Sequence, residues 1–84
     1  MKNKVLIELV VPDIDEIYNV YIPINKKIGN VIILLSRAIS EFNIGDFEEN
    51  NHNCIYNGET GERYQINDIV RNTNIRNGSR IILM

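Results

Sequence analysis

The sequence predicts a small α+β fold in which one helix covers a mixed β-sheet. Three observations carry this expectation. Two alternating, β-branched segments open the chain, one stripe of apolar residues at three- and four-residue steps follows, and short apolar runs set off by Asn-Gly turns come last. The first and last of the strand-like runs are the most apolar, so they are expected to lie side by side at the centre of the sheet, in parallel, because parallel strands favour burial on both faces. At 84 residues the chain has room for a single domain, expected to span 1–84.

Lys4 to Val11, KVLIELVV, carries one internal charge, Glu8. With Glu8 toward water, Leu6 and Val10 share its side, and Val5, Ile7, Leu9 and Val11 face the core. Pro12-Asp13 begins a turn that Asp13, Asp15 and Glu16 keep solvated. Ile17 to Ile24 alternates again, with Tyr18, Val20, Ile22 and Ile24 inward and Asn19, Tyr21 and Pro23 outward. Pro23 has no N–H to give a ladder, so the strand ends there or lies at an edge.

From Ile28 the period changes. Ile28, Val31, Ile32, Leu35, Ile39 and Phe42 form one helical stripe, opposite Asn30, Arg37, Ser40 and Glu41, with Ile33 an exposed apolar residue on the polar side. Gly29 weakens the helix start, and Asn43-Ile44-Gly45 ends it, with Gly45 as a left-handed cap. DFEENNHN is a polar connector. A third strand at Asn53 to Asn57, the turn GETGE and a fourth strand at Arg63 to Ile66 come next. A compact turn follows, whose Ile69 and Ile75 plug the core, and then a fifth strand at Ser79 to Met84. The expected order is ββαβββ.

Composition removes several function classes. Hydrophobic residues make up 44% of the chain, which suits a packed domain and not a disordered one. The net charge of −2 is mild and the cations are scattered, which argues against nucleic acid as a partner. No apolar run approaches the roughly 18 residues of a membrane span, so no direct membrane insertion is expected. Glu8 interrupts the apolar part of the N-terminus and no small-residue cleavage site follows, so this stretch reads as a strand and not a signal peptide. The single cysteine, Cys54, cannot form an internal disulfide, which fits a cytoplasmic setting.

The element order, together with NDIVRNTNIRNGSRIILM, resembles the ubiquitin-like β-grasp fold. The matching parts are Asp68 in a short turn, the plug Ile75, the turn RNGS, and inward Ile81 and Leu83. Among bacterial members the sequence looks most like the YukD/EsaB group, small ubiquitin-like proteins of type VII secretion systems. Three pieces carry this: VYIPINKKIGNVIILL leading into the helix, the short loop around Gly58 to Gly61, and the spacing of Ile75, Gly78, Ile81 and Leu83. The polar, Asn-rich stretch from Phe47 to Asn53 departs from the pattern. The resemblance implies a non-enzymatic interaction module whose partner is a protein, such as the cytosolic part of a membrane secretion component. The main rival of another class is a sulfur carrier or conjugated modifier. It would need a flexible Gly-Gly tail, whereas this sequence closes on Ile-Leu-Met inside a strand, so conjugation is not expected.

Catalytic signals are sparse. His52 and Cys54 alternate onto one face, but no carboxylate or oxyanion donor is placed beside them, so Cys54 reads as a small core residue and His52 as a solvated one. Asp46, Glu48, Glu49 and His52 share a polar loop that reads as solvated, so no metal is assigned. No Gly-rich phosphate loop is present and no cofactor is expected. The outer sheet face is more informative. Leu6 and Val10, with Ile82 and Met84 by alternation from Ile81 and Leu83, point outward. With Cys54 and Tyr56 inward, Ile55 joins them. In ubiquitin-like domains this face carries the main partner patch, and Ile55, Ile82 and Met84 fall at matching positions. The predicted protein-interaction patch is therefore Leu6, Val10, Ile55, Ile82 and Met84, and it could also pair with itself in a homodimer.

Overall fold

The computed structural model of the chain describes residues 2–42 and 53–84. Strand β1 (Lys4–Val11) turns through Pro12–Ile14 into β2 (Glu16–Pro23). Helix α1 (Ile28–Phe42), β3 (Ile55–Asn57) and β4 (Arg80–Leu83) follow. The sheet order is β2-β1-β4-β3, with β1 and β4 parallel at its centre and both outer pairings antiparallel. The expected α+β, ubiquitin-like architecture is the one observed.

The β1–β2 hairpin follows the alternation. Ile7, Leu9 and Val11 of β1 and Ile22 of β2 are buried, while Asn19 and Tyr21 are exposed. Asp15 supplies the left-handed residue of the turn at φ 53°, a conformation that Asp tolerates better than most side chains. On α1, Ile28, Val31, Ile32, Leu35 and Ile39 are buried against the sheet. Phe42, the last member of the expected stripe, is 66% exposed. It reaches β2 on the helix side of the sheet, where its ring lies 6.0 Å from that of Tyr18.

The helix start is held from outside. Ile28 and Gly29 donate their N–H groups to the carbonyls of Asp68 and Ile66 (2.8 and 2.9 Å), satisfying two donors that the first turn leaves without an internal partner. This contact gives Gly29 a purpose that propensity alone misses, since a Cβ there would lie 3.3 Å from the Ile66 oxygen.

Two expected elements differ. Arg63 to Ile66 is not a strand: it makes a single antiparallel bridge, Arg63 with Tyr56, before turning away through a bond from Asp68 N–H to the Gln65 carbonyl. The core plug in the next segment is Val70 beside Ile75, not Ile69. A short 3-10 turn at Val70–Asn72 swings Val70 inward and leaves Ile69 half-buried, bridged to Lys27. The proposed cap at Asn43-Ile44-Gly45 and the acidic loop with His52 lie outside the described residues.

The two turns bordering β3 and β4 are tied by side chains. Asn57 Oδ1 accepts from the N–H groups of Glu59 and Thr60 (2.8 and 3.1 Å). Its Nδ2 donates to the Tyr64 hydroxyl, which in turn donates to Asn74. Before β4, Gly78 takes φ +87° and its N–H donates to the Leu6 carbonyl, while Leu6 N–H donates to Asn77 Oδ1. These bonds set the β1–β4 register ahead of the ladder itself.

A candidate docking surface on the open sheet face

The face of the sheet turned away from α1 is built by strict alternation, so the ladder determines which side chains meet. Glu8 lies opposite Arg80 and Val10 opposite Ile82 across the parallel pair. Ile17 lies opposite Val10 across the hairpin, and Tyr56 lies opposite Ile82 on the other side. Ile17, Val10, Ile82 and Tyr56 therefore form one row across all four strands, about 14 Å from end to end at ordinary strand spacing. Ile17 is 62% exposed and the other three are half-buried. A second, shorter row adjoins it, where Cys54 and Met84 exchange backbone hydrogen bonds of 2.8 and 3.1 Å. Met84 is 49% exposed.

A polar row bounds this surface. Asn19, Glu8 and Arg80 lie side by side, and Arg80 Nε donates to Glu8 Oε1 at 2.6 Å. Beyond that row Leu6 pairs with Tyr21. Leu6 is thus on the predicted face but is cut off from Val10 by the ion pair.

Of the residues predicted for the patch, Val10, Ile82 and Met84 come together and Leu6 stands apart. Ile55 is corrected: it is fully buried. It pairs directly with Leu83, and directly opposed residues share a face, so both enter the core. Cys54 and Tyr56, expected inward, take the outer face instead. Ile17 and Tyr56 are the members the sequence reading missed. The available signal was the pairing itself: once Leu83 is inward, its partner on β3 must be inward too. Tyr also suits a half-wet position better than Ile, because its hydroxyl keeps a polar tip in solvent.

The site therefore presents an apolar band with a polar border, a surface suited to covering by another protein. Among the described residues no group of His, Cys, Asp and Glu is arranged to hold a metal ion. No described helix is long and apolar enough to cross a membrane.

No protein-family model matches the sequence, and no curated protein matches it. Solved structures match by shape. The ubiquitin-like domain of the Mycobacterium tuberculosis type VII secretion system protein ECCD1 superposes with a TM-score of 0.72 at 10% identity, covering 95% of this chain and 96% of that one. A chain of the ESX-5 inner membrane complex also gives 0.72, at 9% identity, covering 98% of this chain and 21% of that one. A chain of a toluene 4-monooxygenase complex reaches the same score at 6% identity, covering 95% of each. At these identities the likeness defines the fold as ubiquitin-like. The enzyme complex among the matches shows how varied the settings of that fold are.

Proposed function

We propose that the protein is a non-enzymatic, cytoplasmic, ubiquitin-like docking module serving a type VII-like secretion system of the YukD/EsaB kind. In this reading it binds a membrane-anchored secretion component through its open sheet face. The observation that carries the reading is the unbroken apolar row Ile17, Val10, Ile82 and Tyr56, extended by Met84, on the face the helix leaves uncovered. The fold match to a ubiquitin-like domain of a type VII secretion protein supports that setting.

Ile82 is the expected centre of contact, flanked by Val10 and Tyr56. Val10 and Ile82 offer flat, β-branched surface, and Tyr56 adds an aromatic anchor of the kind enriched at protein interfaces. The Glu8–Arg80 pair on the border would orient the partner without contributing much affinity, since exposed ion pairs are weak.

The test is retrieval of type VII membrane components from native cells by the wild-type protein and by Ile82→Glu. Loss of those components by a variant that still unfolds cooperatively, with its melting temperature lowered by no more than about 8 °C, is the expected result. Undiminished retrieval by Ile82→Glu would remove the outer face from the mechanism.

A further inference from the structure

Strand β2 is a sheet edge with no described strand beyond it. The ladder fixes which of its backbone groups are available. Ile24 N–H donates to the Asn3 carbonyl, and the N–H of Glu8 and the carbonyl of Leu6 are used on the β4 side. Alternation along the antiparallel pair then turns the N–H and C=O of Ile17, Asn19 and Tyr21 away from β1, toward solvent. Natural edges are commonly protected by charge, by proline or by a bulge. Here Glu16 and Pro23 stand only at the two ends, and IYNVYI between them carries no charge.

Apolar side chains stand on both sides of this edge. Ile17 and Tyr21 flank it on the outer face, with Asn19 between the two. On the helix side a cavity of about 280 Å³ is lined by Val20, Ile22, Leu34, Leu35, Ala38 and Phe42, and Leu34 and Phe42 are exposed.

We propose that a second copy of this chain pairs with the β2 edge, β2 against β2, in antiparallel register about a two-fold axis at Asn19. Only this register lets every outward N–H and C=O of Ile17, Asn19 and Tyr21 find a partner. Ile17 meets the second copy's Tyr21, and Asn19 meets its own equivalent. A shift of two residues in one direction brings Pro23, which has no N–H, opposite Ile17. A shift in the other direction brings the turn residue Asp15 opposite Tyr21.

Charge selects the same arrangement. The strand begins at an acidic corner, Asp13, Asp15 and Glu16, and runs toward a basic one, Lys26 and Lys27. Antiparallel pairing sets each acidic corner beside the second copy's basic one, at both ends at once. The helix-side cavities also become neighbours across the axis, so the exposed Leu34 and Phe42 of both copies are covered together.

Sedimentation across a concentration series should show the mass rising from 9.7 kDa toward twice that value. Asn19→Pro deletes an N–H that has no partner among the described residues. It should raise the dimer Kd about tenfold or more, the equivalent of two lost backbone hydrogen bonds at the axis. Asn19→Cys in a Cys54→Ser background should oxidise to a disulfide-linked dimer. Hydrogen-bonded antiparallel partners sit about 5.5 Å apart at Cα, within disulfide range. Tyr21→Cys in the same background should not crosslink. Asp15→Lys/Glu16→Lys and Lys26→Glu/Lys27→Glu should each be monomeric alone and should pair when mixed. A chain that stays monomeric at every concentration overturns the proposal, as does a dimer that is indifferent to Asn19→Pro and is not trapped by the Asn19→Cys substitution. An edge that takes up extended peptides of other proteins without self-association overturns it as well.

Discussion

Ile55→Ala separates the observed strand orientation from its one-residue alternative. Ile55 has no solvent exposure and lies opposite Leu83, which is equally buried, in a core shared with Ile81 and Ile39. Truncation removes the apolar contacts of the side chain and leaves a cavity in a small core. Comparable Ile-to-Ala changes cost about 2–5 kcal/mol. A domain of this size has a total stability of roughly 4–13 kcal/mol, so the variant should lose at least about 15% of it. At about 4–8 °C per kcal/mol, a loss near the middle of that range lowers Tm by roughly 14–28 °C. The comparison is Ile82→Ala, whose side chain is on the open face and already half in water. Burial of a partial side chain gives it a cost of only about 1 kcal/mol. Urea unfolding of both variants supplies the measurement, with m-values checked for constancy. If Ile82→Ala proves the costlier of the two, or Ile55→Ala costs under about 1 kcal/mol, the assignment of β3's faces is wrong.

Other perturbations probe the turns and the border of the face. Gly58→Ala would put a Cβ 2.5 Å from Arg80 Cγ and 2.9 Å from its Cβ, so it should destabilise by about 1–3 kcal/mol, and Arg80→Gly should relieve much of that in a double-mutant cycle. Asn57→Ala removes the acceptor for Glu59 and Thr60 and the donor to Tyr64, and denaturant unfolding should register a loss of about 1–3 kcal/mol. Burial raises the pKa of Tyr64 above the usual 10.0, the hydrogen bond from Asn57 opposes this, and the charge of Glu62 adds to it. Because the neutral phenol is favoured in the fold, its contribution to stability is complete below pH 10.0 and declines as pH rises through the folded value. The tyrosinate difference spectrum of wild type against Tyr64→Phe should therefore have its midpoint above 10.0, and a midpoint at or below it would contradict the assignment. Arg80→Gln breaks an exposed pair and should cost under about 1 kcal/mol, with the difference vanishing in high salt.

Long periodic elements were legible from sequence, and short ones were not. Eight residues of alternation leave β1 one consistent orientation, and Glu8 decides which. The helical stripe holds through Ile39 for the same reason. In β3 only Ile55–Asn57 are paired, so local alternation cannot choose a face, and the choice passes to Leu83 on a distant strand. Arg63 to Ile66 had strand-like composition, but the turn at Gln65–Asp68 is recruited to cap α1, and that long-range use overrides local preference. Ile69 lost its place to Val70 because a 3-10 turn follows neither strand nor helix periodicity. At the candidate site, Val10 and Ile82 were visible as outward residues, whereas the row linking them to Ile17 and Tyr56 exists only through pairing registers.

The parallel β1–β4 ladder also governs how the chain can be assembled. During synthesis β1 and β2 emerge together and can form a hairpin, yet β1 keeps an unfilled flank until residues 80–83 have been made. Closing that gap joins segments more than seventy positions apart, so it comes with a large loop entropy and late in time. Until then Leu9 and Val11 lack their inner neighbours, and the nascent hairpin is the species a chaperone or an aggregating neighbour would meet. Substitutions near Ile81 should consequently lower soluble yield in cells by more than their effect on equilibrium stability would suggest.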